Sequence, residues 1–590
     1  MRTIKERLNV LCAAMSENGI AVYIVPGTDP HAGEYIPDYW KERDWISGFD
    51  GSAGTAVIAL DKAFVWVDSR YFLQADEQLK DTGFEAMKMG LPETPDMLKW
   101  ITENLKDGER VGVNPLLFSV NAYASMTKLF ASKGIKLVSI DLIKALWSDR
   151  PLISNQKIFL FDEKYAGSSF KNKLEAVRNS LKAVNADYLV LNTLDDIAWL
   201  FNIRGNDVSY NPVATAYALI SLNDASIYIS PEKLNDEVSA YFKINNIAVK
   251  NYSDISSDLS KIPSQARIVI DGNKVNQSLY ENIKSEIVNM LSPVTSLKSI
   301  KNPIEIEGVR NAMIKDGVAL TRFFIWLEEN VASGELSEIS ISEQLNEFRR
   351  QQDLYFGKSF STIAGYAHHG AIVHYKADAN SDSKIYPENI LLLDSGGQYF
   401  DGTTDITRTI TLGKTTVQQK IDFTLVLKGH IGIVTASFPM GTRGSQLDIL
   451  ARKSLWDRGL NYGHGTGHGV GHFLNVHEGP QSIRMDENPT VLQQGMIISN
   501  EPGIYRTGEY GIRIENLVLV TKDKTTDFGD FLKFETLTLF PIDVNLIDKS
   551  LLNSDEIKWL NDYHKTVYQK LSPNLNQKEN EWLESKTKAI

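Results

Sequence analysis

Two stretches in the first half of the chain repeat the same order of hydrophobic and polar positions. Residues 5–18 and 170–184 carry apolar residues at helical spacing, and each leads into an apolar segment that predicts a strand, AVYIVPGTDP or DYLVLNTLDD. Further on, the segments starting at Thr55 and Thr215 each predict two strands joined by a polar turn. Such hairpins are common, so chance similarity is the alternative. The pattern predicts two related α/β domains, 1–153 and 154–299.

A third region begins near residue 300 with apolar residues at helical spacing. These positions are Val309, Met313, Val318, Leu320, Phe324 and Leu327. Strands and glycine-rich turns are predicted from about residue 355, and helices follow the segment LFPIDVNLIDKSL. We therefore predict a large third domain at 300–545 and a C-terminal helical extension at 546–590.

Composition and charge narrow the classes of partner. Sixty-two Lys and Arg stand against 74 Asp and Glu, a net charge of −12, which disfavours nucleic acid and anionic membranes and favours cations or basic partners. The single cysteine, Cys12, excludes an intrachain disulfide and a Cys-based zinc site. The sequence has neither a signal-peptide pattern nor an apolar run long enough to cross a bilayer. We expect a cytoplasmic protein.

Eight of the ten histidines lie between His368 and His477, in the same part of the chain as four conspicuous carboxylates. Asp394 ends the apolar run ILLLD, and Asp405 lies in the strand predicted after the Gly-Gly turn. A carboxylate at the end of so apolar a run is costly to bury unless it is paired or binds a cation. The alternative for Asp394 is a residue that caps a hairpin turn.

The segment YGHGTGHGVGHFLNVHEG, residues 462–479, combines four histidines with closely spaced glycines. Glycine lets the backbone approach a site closely, and imidazoles can bind a metal or donate hydrogen bonds. The spacing matches neither a dinucleotide-binding fingerprint, nor a phosphate loop, nor the H-E-x-x-H zinc helix. Taken alone, the segment also fits a histidine-rich surface tract.

Two glutamates complete the candidate chemistry. Glu501 precedes Pro502, and we predict Glu515 in the middle of a strand, where alternation puts Arg513, Glu515 and Leu517 on one face. An isolated Glu515 would usually be a solvated or cross-strand residue. Two Asp, two Glu and at least one His in apolar or glycine-rich settings are what a dinuclear metal site rich in oxygen ligands requires.

The order and local context of Asp394, Asp405, His468, Glu501 and Glu515 resemble those of the pita-bread metallopeptidases. The resemblance is closest to the long, three-domain cytosolic aminopeptidase P type and extends over nearly the whole chain. It includes TDPHAGEYI, WISGFDGSAGTA, DSRYFLQA, IVHYKA, DSGGQYFDGTTDITRT, HGTGHGVGHFLNVHEGP, EPGIY and GIRIEN. The fold class it implies is two related N-terminal α/β domains, then a pita-bread catalytic domain of mixed α/β and α+β type with a C-terminal helical extension.

The resemblance also implies residue roles. Asp394 would chelate one metal ion, Asp405 and Glu515 would bridge two, and His468 and Glu501 would bind the other. His374 and His477 would bind substrate and stabilise the tetrahedral intermediate, while His464 would line the proline side. Arg70 would reach a longer peptide, and Arg513 would orient ligand carboxylates or form an ordinary strand salt bridge. These expectations cover Asp394, Asp405, Glu515, His468, Glu501, His374, His477, His464, Arg70 and Arg513.

Small departures from the family pattern are Asn500, where Asp is often seen, and the additional His472 inside the histidine-rich loop. Neither is one of the five expected ligands. For the remaining histidines of the cluster, His368, His369 and His430, we favour packed or loop positions without a catalytic role.

The implied activity is release of an N-terminal residue from peptides with proline second, by two divalent ions, with Glu501 as proton shuttle. Manganese is the ion the family implies, and zinc, cobalt or iron also fit the ligand chemistry. A homodimer is implied as well. The nearest alternative is a prolidase acting on Xaa-Pro dipeptides. Methionine aminopeptidase, a creatinase-like enzyme and a non-catalytic pita-bread binding protein fit less well, because the chain has two preceding domains and all five ligands.

Overall fold

The computed structural model describes residues 2–590, which form two compact units. The N-terminal unit comprises residues 2–163 together with Ser168–Ser296, and the C-terminal unit comprises Lys164–Gly167 together with Leu297–Ile590. Among the described residues, no helix has the length and apolar character needed to span a bilayer.

The N-terminal unit contains two six-stranded sheets of the same topology. In each, the first strand pairs antiparallel with the second and parallel with the fifth. The second pairs antiparallel with the third, and the two outer pairs are parallel. The strands are Val22–Pro26, Thr55–Ala59, Ala63–Val67, Glu85–Lys88, Arg110–Val113 and Lys136–Ser139, and then Tyr188–Leu191, Tyr217–Ser221, Ala225–Tyr228, Ile247–Lys250, Arg267–Ile270 and Glu286–Asn289. The shared topology confirms the predicted repeat.

The two predicted leading helices form at Ile4–Glu17 and Phe170–Ala183. Thr3 and Glu6 form a capping box at the first, and the Ser169 side chain caps the second, so each start satisfies backbone N–H groups that a helix leaves open. Further helices of this unit are Glu42–Ser47, Phe72–Gln78, Met97–Asn104, Val120–Ala131, Leu194–Phe201, Asp236–Ile244 and Ile255–Leu259.

The C-terminal unit is built on antiparallel sheets. Its six-stranded sheet has the spatial order Ser437–Pro439, Gly529–Thr536, Asn516–Thr526, Ile497–Asn500, Gly467–Gly469 and Glu478–Ile483. Two three-stranded sheets consist of Ile363–Tyr366, Ile390–Ser395 and Ile406–Thr411, and of Tyr355–Lys358, Gly397–Tyr399 and Gly402–Thr403. A hairpin, Gly503–Arg506 with Tyr510–Arg513, completes the set.

Helices pack against these sheets. The longest is Pro303–Asn330, which starts at an Asn302–Glu305 capping box and buries all six apolar positions that helical spacing predicts. The others are Glu338–Arg350, Val417–Val434, Gly444–Trp456, Ser554–Leu571 and Gln577–Lys586. The last two confirm that helices follow residue 546.

Two strand predictions near the candidate site are wrong in detail. Asp405 lies just before the strand Ile406–Thr411, not in it. Glu515 lies in a two-residue break between Tyr510–Arg513 and Asn516–Thr526, so no continuous strand puts Arg513, Glu515 and Leu517 on one face. The break occurs because Glu515 N–H donates to Thr407 O at 3.1 Å, away from either strand's pairing partner.

Candidate active site

Asp394 and Asp405 are brought together by the sheet that contains Ile390–Ser395. Asp394 is the fifth residue of this wholly buried central strand and pairs with Thr407 in the next strand. Asp405 lies two residues before Thr407, and both aspartates are less than 10% exposed. Two carboxylates therefore lie close together at the end of an apolar sheet, where the charge of Asp405 makes ionisation of Asp394 less favourable.

His468 and Glu501 reach the site from neighbouring strands of the six-stranded sheet. The Gly467–Gly469 strand pairs with Ile497–Asn500, which ends just before Glu501. A Cβ at Gly467 would lie 1.9 Å from Ser499 O, so only glycine permits this approach. His468 Nε2 lies 3.5 Å from Glu501 Oε1 and 3.5 Å from Asp405 Oδ2. The glycine spacing in this loop therefore serves to bring an imidazole against two carboxylates.

The tautomer of His468 suits a metal ligand. Its Nδ1 donates to Gly469 O at 2.9 Å, so Nε2, which faces the carboxylates, is the nitrogen that could bind a metal ion after giving up its proton. A ring nitrogen of His468, a carboxylate oxygen of Asp405 and one of Glu515 all lie within 4.8 Å of one another. These three residues have the donor types and spacing of a metal site.

The carboxylates of the site together carry more negative charge than the nearby positive groups balance. Burial raises the pKa of Asp394 to about 6 and that of Glu501 to about 7, even though Arg513 lies close to both. Burial, with the repulsion of three other carboxylates, raises the pKa of Glu515 well above its usual range. Burial opposes a charge on His468, but Asp405 and Glu501 raise its pKa to about 9. Divalent cations would relieve this repulsion.

One buried oxygen of Asp394 also indicates that the site can bind a cation. Asp394 Oδ1 has no hydrogen-bond partner among the described residues, whereas its Oδ2 accepts a hydrogen bond. An unpaired buried carboxylate oxygen is costly unless a cation contacts it. The donor set, its charge and this oxygen thus fit divalent metal ions.

Arg513 lies behind the carboxylates. It is 2% exposed; its Nη2 donates to Asp394 Oδ2 at 2.7 Å and its Nε donates to Thr407 Oγ1 at 3.0 Å. The Thr407 hydroxyl donates in turn to Glu515 Oε2 at 2.7 Å. One guanidinium therefore orients two candidate ligands, one directly and one through a threonine, as outer hydrogen-bond partners commonly do.

Tyr505 extends these contacts to His464. The hydroxyl accepts from Arg513 Nη1 at 2.7 Å and lies 2.8 Å from His464 Nε2. Because His464 Nδ1 lies 2.8 Å from Gly465 O, the Nε2 atom accepts the Tyr505 proton. The partly buried His464 is thus connected by hydrogen bonds to Asp394, as a residue at the edge of the site would be.

The other two histidines predicted to contact substrate, His374 and His477, also belong to the C-terminal unit. The His477 ring lies edge-on to that of His468, with centroids 4.4 Å apart. His374 is partly buried. The carbonyl oxygen of Val373, the residue before His374, lies 3.5 Å from Arg513 Nη1. Arg70, by contrast, belongs to the N-terminal unit, where it forms a two-bond ion pair with Asp68. Its contact with a longer peptide remains a prediction.

The hairpin bearing His468 and His477 is anchored by a buried charge cluster. Glu478 accepts from Lys298 Nζ at 2.8 Å and from Lys301 Nζ at 2.5 Å, with all three side chains no more than 2% exposed. Glu478 also pairs with Gly469 across the hairpin. The cluster thus holds the residue next to His477.

The remaining histidines of the cluster lie in packed positions or in loops. His472 is buried with Nε2 3.2 Å from Tyr165 O, and His430 is buried with Nδ1 3.1 Å from Asn500 O. His369 Nδ1 lies 2.9 Å from Glu338, and His368 is exposed. No role was predicted from the sequence for Thr407, Tyr505 or Glu338, although Thr407 and Tyr505 lie in the quoted motifs DSGGQYFDGTTDITRT and EPGIY.

Comparison with known proteins agrees with this geometry. Residues 307–522 match the model of metallopeptidase family M24, and residues 530–590 match the C-terminal region of peptidase M24. Residues 7–146 and 149–305 each match a creatinase/prolidase N-terminal domain. "Probable Xaa-Pro aminopeptidase P" of Laccaria bicolor is 42% identical over 98% of this chain and 92% of its own length. The chain belongs to the aminopeptidase P group of metallopeptidase family M24.

Membership of this group makes the chain a metal-dependent aminopeptidase, a hydrolase. "Aminopeptidase P2" of Arabidopsis thaliana is 40% identical over 100% of this chain and 89% of its own length. The X-prolyl aminopeptidase of Caenorhabditis elegans, described as a cytosolic enzyme with a di-nuclear active site, superposes with a TM-score of 0.94 over the full length of both chains, at 35% identity. These full-length likenesses confirm the predicted family and the two-domain N-terminal half followed by a pita-bread domain.

Proposed function

We propose that this chain releases the N-terminal residue from peptides whose second residue is proline. The observation that carries the proposal is the buried convergence of four carboxylates and one imidazole that the local charges leave uncompensated. The substrate class rests on the full-length aminopeptidase P relatives.

We infer two divalent metal ions, in agreement with the description of the C. elegans relative. Asp394 would chelate one ion, Asp405 and Glu515 would bridge both, and His468 and Glu501 would bind the other. Manganese is the ion the resemblance favours, and this ligand set also admits zinc, cobalt or iron. When bound, such ions lower the pKa of water and polarise a carbonyl group.

Glu501 is the proposed proton shuttle. It would take the proton of the attacking water and return it to the leaving nitrogen, a general acid–base role. Ser499 Oγ donates to Glu501 Oε1 at 3.2 Å, which holds the carboxylate in place for this transfer.

Histidines are the proposed substrate contacts. His374 and His477 would donate hydrogen bonds to the developing oxyanion, where fixed donors are most effective. His464 would line the proline side, held by Tyr505. The bond before proline has no N–H, so a peptidase that binds its substrate as a strand fits it poorly and a dedicated pocket is needed. Arg70 would contact longer peptides.

Two further properties are inferred from relatives alone. We infer a cytoplasmic location because the C. elegans relative is described as cytosolic. We infer a homodimer because the resemblance implies one. Light scattering of the purified protein tests the second inference directly.

A peptide comparison tests the proposal. Manganese-loaded protein is given Ala-Pro-Ala, Ala-Pro and Ala-Ala-Ala, and released alanine is measured by mass spectrometry. We expect rapid hydrolysis of Ala-Pro-Ala and little of the other two. Hydrolysis of Ala-Pro alone would show a prolidase, and no hydrolysis of any peptide would overturn the proposed activity.

A further inference from the structure

Glu338 is a buried carboxylate remote in sequence from every residue given a catalytic role above. It is the first residue of the helix Glu338–Arg350, and its exposed fraction is 0%. The neighbouring Leu336, Ile341 and Tyr366 belong to one apolar core. A buried carboxylate in such surroundings is costly unless it is hydrogen-bonded. Its partners therefore indicate why it is there.

Four donors satisfy Glu338, and all come from one stretch of chain, residues 366–383, named here the His374 segment. Tyr366 N and His369 Nδ1 each lie 2.9 Å from Oε1. The Tyr375 hydroxyl lies 2.7 Å from Oε2, and Ser383 N lies 3.1 Å from the same atom. One carboxylate thus gathers both ends and the middle of the segment that contains His374.

Most of the His374 segment has no regular secondary structure. After the 3₁₀ turn Ala367–Ala371 the described backbone contains no helix or strand until Ile390. The hydrogen bonds to Glu338 therefore add to local backbone bonds, Ile372 N to His369 O and Tyr375 N to Ile372 O at 3.0 Å each, in fixing the conformation of the segment. A second acceptor, Ser381 O, lies 3.0 Å from the Tyr375 hydroxyl and belongs to the same segment.

His374 lies between two anchor points. On one side, Arg513 Nη1 lies 3.5 Å from Val373 O and connects the segment to the candidate metal ligands. On the other, Tyr375 is 5% exposed, donates to Glu338 and stacks on the His369 ring at 4.4 Å. Burial raises the pKa of the Tyr375 hydroxyl, which therefore keeps the proton that it donates.

We propose that Glu338 is a positioning residue that sets the place of His374 in the active site through the hydroxyl of Tyr375. The inference rests on the proposed function, because it gives the predicted substrate contact His374 a specific support. Glu338 itself does not touch the substrate. Removing the hydroxyl leaves the ring packed but frees the backbone next to His374.

A double-mutant cycle tests this assignment. Tyr375→Phe and His374→Ala are made singly and together, with Glu338→Gln as a second way to weaken the same bond. Tyr386→Phe, at a tyrosine that is 47% exposed, is the matched control. For each variant, kcat and KM on Ala-Pro-Ala, bound metal and thermal midpoint are measured, with raised enzyme concentrations where His374 is absent.

We expect Tyr375→Phe to lower kcat roughly tenfold, the loss of one hydrogen bond to a charged group. With His374 already replaced, we expect a change of less than about twofold, since the hydroxyl then has nothing to position. Glu338→Gln, whose amide nitrogen cannot accept hydrogen bonds, should lower kcat at least as much as Tyr375→Phe does, and Tyr386→Phe should behave as the wild type.

The assignment would be overturned if Tyr375→Phe lowered kcat equally in the wild type and in the His374→Ala variant, or in neither. A merely structural role acts whether or not His374 is present. Inactivity of the wild-type protein toward Ala-Pro-Ala would instead overturn the proposed function, and this inference with it. The two failures are therefore distinguishable.

Discussion

Arg513 Nη2 donates a 2.7 Å hydrogen bond to Asp394 Oδ2, and both residues are less than 10% exposed. The same guanidinium reaches Glu515 through Thr407. A buried arginine is always charged, so it partly offsets the carboxylates and orients two of them at once. This relationship ties the candidate ligands to the hairpin Gly503–Arg506 with Tyr510–Arg513.

Replacing Arg513 by lysine should weaken metal binding. An ammonium group can satisfy Asp394 but not Thr407 and Tyr505 as well, so we expect metal affinity to fall roughly 10- to 100-fold. Competition with a chelator, read by metal analysis, measures the change. Arg484→Lys, at an exposed arginine paired with Asp486, is the control. Unchanged affinity in Arg513→Lys would show that the guanidinium does not orient the ligands.

Replacing Glu501 by glutamine should remove the proton shuttle while keeping the side chain's size. We expect kcat on Ala-Pro-Ala to fall about 10²- to 10⁴-fold, the usual contribution of general acid–base catalysis. Circular dichroism should show a folded chain, and metal analysis reports any loss of ions. Glu509→Gln, at an exposed glutamate in the nearby turn, should keep full activity. A Glu501→Gln variant with wild-type kcat would remove Glu501 from the mechanism.

Replacing Glu478 by glutamine should destabilise the hairpin that carries His477. Lys298 and Lys301 would then lose the buried carboxylate that they share, for which the expected loss is about 3–5 kcal/mol of unfolding free energy. Urea unfolding measures it. Glu487→Gln, at a glutamate whose side chain is 62% exposed, should change stability by less than about 1 kcal/mol. An equally small change in stability for Glu478→Gln would show that Glu478 does not stabilise the hairpin.

His564 should contribute to loss of stability in acid. Burial and the nearby Arg408 lower its pKa to about 4, and its Nε2 accepts the Ile542 N–H at 3.1 Å. The unfolded chain binds a proton near pH 6.5 and the folded chain does not. The folded state is therefore fully favoured above pH 6.5 and loses stability as pH falls toward 4, by about 2 kcal/mol between pH 7 and 5.

His564→Gln keeps an acceptor for Ile542 but cannot take up a proton. The difference in unfolding free energy between pH 7 and pH 5 should therefore shrink by about 2 kcal/mol in this variant. His368→Gln, at an exposed histidine, should leave that difference as in the wild type. If all three proteins respond equally to pH, His564 is not the source of the acid sensitivity.

The elements that the sequence predicts well are those with strong periodicity. The helices at Ile4–Glu17 and Phe170–Ala183 bury regular apolar faces, and their caps are visible as Thr3 and Ser169. The break at Glu515 could not be predicted, because it depends on Thr407, which is more than 100 residues away in sequence. Local hydrophobicity in GIRIENLVLV looks the same whether or not the ladder is interrupted.

Some residues of the candidate site could likewise be predicted from the sequence, and others could not. Its five expected ligands stand in long motifs and could be selected from sequence by resemblance. Tyr505 and Glu338 could not, since their roles come from hydrogen bonds to His464 and to the His374 segment, which are distant in sequence. An aromatic residue or a glutamate at such positions carries no signal of its own until the chain is folded.

The most direct test of the central claim is a metal titration followed by activity. Protein stripped with a chelator is given manganese stepwise, and bound ions per chain are measured beside alanine release from Ala-Pro-Ala. We predict no activity without metal and recovery of activity as up to two ions bind. In Asp405→Asn we predict that ion binding and activity are both lost. A chain that binds no divalent ion, or that cleaves the peptide equally well after stripping, would contradict the account.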